Sequence, residues 1–141
     1  MEVPKRLVLD TNVIIQHLRG KAKESELIAK LQETSNLATT IINSYELYFG
    51  AYKSSNTKIN LSAAKGFLQS IEVLEFDDRS AERAAQVMAK LESSGYLVDP
   101  RDVFIGTIAV ENGYSVLTAN GKHFERIPDL LVLDPSDLLS Q

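Results

Sequence analysis

Five short apolar runs constrain this chain most, because each lies beside a segment of helical spacing and none is joined to the next by a tight hairpin turn. Residues 5–10 (KRLVLD), 37–42 (LATTII), 71–76 (IEVLEF), 115–118 (SVLT) and 130–133 (LLVL) are apolar or β-branched without a helical period, as short buried strands are. Between them, residues 12–19 (NVIIQHLR) read as helix ended by Gly20, and residues 23–33 put Leu27, Ile28 and Leu31 on one helical face. Helix is also expected from Asn43 to about Gly50, over Leu61–Ser70, over the alanine-rich Arg79–Ser93 and from Pro100 to Glu111, with residues 51–60 as a polar connection. Strands alternating with helices imply an α/β fold with a mainly parallel sheet. The 141 residues suffice for one domain with a real core, expected to span 1–141.

Composition narrows the chemistry. The chain has no cysteine, which excludes disulfides and cysteine-based zinc sites. No apolar run approaches the length of a membrane span, and nothing near the N-terminus resembles a signal peptide, so a cytoplasmic protein without a membrane partner is expected. A net charge of −4 argues against binding nucleic acid through the whole surface, while allowing a local basic rim around an acidic site.

The acids fall at telling places. Asp10 ends the first strand, Glu46 lies early in the helix after the second, and Asp102 opens the helix at Pro100. In an open parallel sheet ligands bind at the carboxyl ends of the strands, where the following helices begin. Each acid also has an ordinary explanation. Asp10 or Asn12 can cap the first helix, and Asn43-x-x-Glu46 has the form of a capping box. Asp99-Pro100-Arg101-Asp102 reads as a cap, a proline at the first position and an acid at the third. Convergence changes the balance, since two unit charges about 4 Å apart repel by roughly 4 kcal/mol at an effective dielectric of 20. Shared protons or a cation must offset that cost, and oxygen-only ligands favour Mg²⁺ or Mn²⁺ over zinc. Such a site suits phosphodiester cleavage.

Four stretches, LDTNVII (Leu9 to Ile15), SYELYFG (Ser44 to Gly50), DPRDVFIGTIA (Asp99 to Ala109) and LTANGKHFERIPDLLV (Leu117 to Val132), follow one another in this order. In these motifs the chain resembles the PIN-domain ribonucleases, in particular the VapC toxins of toxin–antitoxin pairs. The resemblance implies a three-layer α/β/α fold, an acidic pocket for Mg²⁺ or Mn²⁺, and endoribonuclease activity. By motif position it implies Asp10 and Asp102 as metal ligands and Glu46 as a ligand or the group orienting the attacking water. Thr11 and Asn12 then support the site or cap the helix, and Asp99 lines the rim or caps. Where many members carry a further aspartate, this chain has Thr118-Ala119-Asn120, followed by Lys122 and His123. Asn120 is expected to position a water or the scissile phosphate, His123 to contact phosphate or a base, and the site to hold one cation tightly. Asn in place of Asp10 or Asp102 is expected to remove cleavage and keep the fold.

Candidate phosphate contacts are Lys5, Arg6, Arg101, Lys122 and Arg126, each of which also makes sense as solvated surface charge. RNA bound this way is expected to be read as a loop or single strand. Tyr45, Leu47, Tyr48 and Phe49, with Ile14, Ile15 and Leu18, are either core or the wall of an apolar groove. The resemblance implies a VapB-like antitoxin whose apolar helix fills such a groove, and a homodimer. Three rivals remain. A phospho-acceptor receiver domain needs an acidic pair after the first strand, where Thr11-Asn12 stands. A DxD phosphatase is disfavoured by Asn12, and no phosphate-binding glycine loop is present. A non-catalytic PIN domain serving as an RNA- or protein-binding scaffold is opposed by the three retained acids and left open by the missing fourth.

Overall fold

The computed structural model describes residues 2–139. Its strands are β1 (Arg6–Leu9), β2 (Asn36–Thr40), β3 (Glu72–Leu74), β4 (Ser115–Leu117) and β5 (Val132–Leu133). The helices are α1 (Thr11–Leu18), α2 (Ala22–Thr34), α3 (Ile41–Lys53), α4 (Thr57–Gln69), α5 (Asp78–Ser93), α6 (Pro100–Glu111) and α7 (Pro135–Leu139). All strand pairs are parallel, in the order β3-β2-β1-β4-β5. The chain starts in the middle strand, winds outward to β3, then crosses back to β4 on the other side of β1. That reversal opens a crevice beyond the carboxyl ends of β1 and β4.

The middle strand shows why the sheet is covered on both faces. Leu7 and Leu9 pack with Val13, Ile14, Leu27, Ile28, Leu31 and Leu68 on one side. Val8 points the other way, among Ile105, Ile108 and Ala109 of α6 and the buried Phe124 and Ile127. All three β1 residues are fully buried, so a continuous apolar run is the expected reading for a central parallel strand. Helices on both faces give the expected three-layer α/β/α arrangement. No helix among the described residues is long and apolar enough to cross a membrane.

Local boundaries depart from the sequence reading in three places. The run LATTII is not all strand, because Thr40 caps α3 and Ile41 and Ile42 already lie in its first turn. Residues 51–60 are not one polar connection. α3 continues to Lys53, α4 begins at Thr57, and Leu47, Ala51, Ala64 and Leu68 are buried in these two helices. A short α7 follows β5, its start fixed by the Asp134 carboxylate accepting from the Ser136 N–H at 2.9 Å, and it brings Leu138 into the core.

Gly106 of α6 lies against the segment after β4. A methyl group there would come within 2.3 Å of Ile127 Cδ1 and 3.2 Å of Leu130 Cδ2, whereas Gly66 of α4 faces open space. Gly66→Ala is therefore expected to stabilise the protein by up to about 1 kcal/mol through helix propensity. Gly106→Ala should lose that gain to overpacking of about 1–3 kcal/mol and come out less stable. Urea unfolding of the two variants checks the opposite signs.

Candidate active site

Asp10 follows β1 directly and caps α1, with only 6% of its surface exposed. Four donors from three parts of the chain hold its carboxylate. Oδ1 accepts from the Thr11 backbone N–H at 2.8 Å and from Asn43 Nδ2 at 3.0 Å. Oδ2 accepts from Thr118 Oγ1 at 2.7 Å and from Asn12 Nδ2 at 3.2 Å. A carboxylate offers about four lone-pair sites, so all of them are engaged.

Asn43 is fully buried and does not form the box expected with Glu46. Thr40 is the true cap: its Oγ1 accepts from the Asn43 N–H at 3.2 Å, and its own N–H donates to Asn43 Oδ1 at 3.2 Å. This pairing turns Asn43 Nδ2 toward Asp10 and Thr11 Oγ1 (2.9 Å). Glu46, one turn further along α3, is free of capping duty. Its Oε1 accepts from Thr11 Oγ1 at 2.6 Å, and its Oε2 faces Arg101 at 3.7 Å.

The other acids come from the start of α6. Asp99 is the N-cap expected from sequence, accepting from the Arg101 N–H at 2.9 Å, and it also pairs with the Arg101 guanidinium at 2.7 Å. The side-chain hydrogen bond from Arg101 holds the Asp99 carboxyl below its ordinary range. Asp102 sits at the third helical position with His123 Nδ1 3.4 Å away. Burial pushes the Asp102 carboxyl up to about 6; the charges of Asp99, Asp10 and Glu46 add to the rise, and His123 opposes it. Glu46 is raised for the same leading reason, burial, with Asp10 and Asp99 contributing and the Thr11 hydrogen bond opposing.

These groups line one crevice of about 630 Å³, together with Thr11, Asn12, Asn120, Lys122, His123, Arg101 and Arg126. Asn120 is exposed at the rim, where its backbone N–H donates to Thr118 Oγ1 at 3.0 Å. Lys5 and Arg6 are elsewhere. They precede or begin β1, at the opposite edge of the sheet, and Arg6 lies over the Tyr114 ring. Ile14 is core, while Leu18 and the buried Leu47 line another cleft between α1, α3 and α4, which Ile15 shares with the acidic crevice. Tyr45 and Phe49 are exposed and stacked on each other. Sequence reasoning missed three residues here. Asn43 looked like a cap; Thr118 marked only the end of a strand; Tyr96 stood in an unassigned loop.

Among the described residues, no three His, Asp or Glu side chains are grouped closely enough to chelate one ion as they stand. The donor chemistry nevertheless fits a hard divalent cation. Four carboxylates face the crevice, Arg101 pairs with Asp99, and Asp102, raised chiefly by burial, also feels the charges of the other three acids.

A profile of the PIN domain family matches residues 7–130. The tRNA(fMet)-specific endonuclease VapC of Salmonella typhimurium is 34% identical over 129 residues, covering 92% of this chain and 97% of that protein. Ribonuclease VapC2 of Haemophilus influenzae is 27% identical over 123 residues, covering 86% and 92%. The crystal structure of DNA-bound VapBC from Salmonella typhimurium contains a chain that superposes with a TM-score of 0.83 at 32% identity, covering 94% of this chain and 99% of that one.

A carboxyl raised from 3.8 to about 6 stabilises the fold while protonated, and that contribution is lost as pH rises through 6. In EDTA, Asp102→Asn should therefore match the native protein near pH 4. Near pH 7.5 it should exceed the native protein by about 1–2 kcal/mol, discounted for partial solvent screening. Chemical denaturation at the two pH values measures the difference.

Proposed function

Given that the chain belongs to the PIN domain family, we propose that it is a Mg²⁺- or Mn²⁺-dependent endoribonuclease, the toxin of a VapBC-type pair, working in the cytoplasm. One observation carries the catalytic reading: Asp10, Glu46 and Asp102, from three separate segments, line the same crevice at the sheet's reversal point. The named relatives add the substrate class, and the tRNA(fMet) in the name of the Salmonella protein is the first RNA to try. The VapBC complexes among its structural relatives support a VapB-like antitoxin as partner. The cleft between α1, α3 and α4, lined by Ile15, Leu18, Leu47 and Ala64, is the place for the antitoxin's apolar helix. A homodimer is part of the same proposal.

Asp102 and Asp10 would hold the cation, with Glu46 beside them. Asp102 is the more available ligand, since its one close partner is His123 at 3.4 Å. Asp10 either gives up its longest hydrogen bond, to Asn12 at 3.2 Å, or acts through a water. When bound, the metal supplies Lewis acidity, lowering the pKa of a water and offsetting charge on the phosphate. Glu46 is suited to take a proton from the attacking water, because Thr11 fixes one oxygen at 2.6 Å and burial raises its basicity. Asn120, Lys122 and His123 stand at the rim to orient the scissile phosphate.

Cleavage of labelled RNA should require Mg²⁺ or Mn²⁺ and stop in EDTA. Asp102→Asn should lower the rate on the order of 10²-fold or more. Asp10→Asn should do the same but also cost stability, contrary to the expectation from sequence, because an amide nitrogen would face a donor of Asn12 or Asn43. Failure of native protein to cut tRNA or any other RNA with Mn²⁺ present would leave the scaffold reading.

A further inference from the structure

A second crevice, about 540 Å³, lies beside the first and is bordered by α5 and the segment after Phe124. Tyr96 and Arg126 line both crevices, so the two are continuous across this pair. The Arg126 guanidinium lies 3.6 Å from the centre of the Tyr96 ring. Both residues are held out by their neighbours. Gly95, at φ 81, ends α5, and the Tyr96 N–H donates back to Leu91 O at 3.0 Å, which turns the tyrosine off the helix. Arg126 is flanked by Phe124 and Ile127, both buried in the core, so its backbone is anchored on either side. The tyrosine keeps 40% of its surface exposed.

The charges in the second crevice are informative. Arg83 is occupied by Glu111 and Asp129. Lys90 and Arg126 have no carboxylate partner among the described residues, although Glu125 also lines the crevice. An aromatic ring backed on one face by a guanidinium and still 40% exposed, with cations that lack a carboxylate partner beside it, is the combination that binds single-stranded nucleic acid by stacking and phosphate contact.

The geometry points to an RNA track that leaves the catalytic crevice across Tyr96 and Arg126 and continues along α5, a base stacking on Tyr96 and phosphates meeting Arg126 and Lys90. This rests on the nuclease reading for its choice of RNA, but it concerns binding of the strand that flanks the cut. Tyr96 and Arg126 are then binding residues, outside the catalytic group. The second crevice lies beyond the catalytic acids, so a longer strand engages more of it and length of the RNA is the discriminating variable.

The test measures binding, separately from cleavage, on Asp102→Asn protein with fluorescent single-stranded RNAs of four and twelve nucleotides. Adding Tyr96→Ala should weaken the twelve-nucleotide complex by about 5- to 50-fold and the four-nucleotide complex by clearly less, and Tyr96→Phe should restore both. Arg126→Ala should reduce the slope of log affinity against log salt by about 0.7, the value for one phosphate on a single strand. Tyr96→Ala should leave that slope unchanged. Unaltered twelve-nucleotide binding in both variants, or equal losses for short and long RNA, would overturn the track. Binding with these dependences in a protein that cuts no RNA would uphold the track and remove the nuclease reading. No RNA binding at all would remove both.

Discussion

The four-fold grip on Asp10 is the interaction on which the site depends. It joins the start of α1 (Thr11 and Asn12), the first turn of α3 (Asn43) and the residue that follows β4 (Thr118). Hydrogen bonds to a charged group contribute about 1.5–3 kcal/mol each, so the cluster ties three chain segments together at the point where the sheet changes direction. The same bonds set the positions of the other groups. Asn43 and Thr11 pass the constraint on to Glu46, and Thr118 fixes the backbone at Asn120.

Around this anchored carboxylate the acids are held in different ways. Asp10 is satisfied by neutral donors, which hold it without cancelling its charge. Asp99 is neutralised by Arg101, whose guanidinium also reaches toward Glu46 at 3.7 Å. Asp102 has His123 Nδ1 at 3.4 Å, and burial, with the neighbouring acids, still pushes its carboxyl up to about 6. In the proposed reading a divalent cation would sit among these acids, with Lys122 and His123 at the rim of the same crevice.

Much of this was legible in the residues. Uninterrupted apolar runs beside helical segments identified a parallel sheet, and the acids at their ends do line one crevice at its carboxyl edge. Asp99-Pro100-Arg101-Asp102 was readable because capping chemistry is local, and the helix starts where the proline requires. Capping also misled. Asn43 and Glu46 have the spacing of a box, but Thr40 competes for the same role and wins, since its hydroxyl is fully buried against Asn43. Lys5 and Arg6 looked near Asp10 in sequence, yet a strand separates them and puts them at the other edge of the sheet. Arg126 was already a candidate phosphate contact, but Tyr96 lies thirty positions away in the chain and only the folded arrangement brings the two together.

Calorimetric titration of Mn²⁺ into EDTA-stripped protein at pH 7.5 tests the account most directly, because it reads the charge imbalance without needing a substrate. Saturable binding of one ion is expected, weakened at least about tenfold by Asp102→Asn and weakened in the native protein as pH falls below 6. Absence of saturable binding, or equal affinity in the Asp102→Asn protein, would contradict the central claim that these acids form a metal-holding catalytic site.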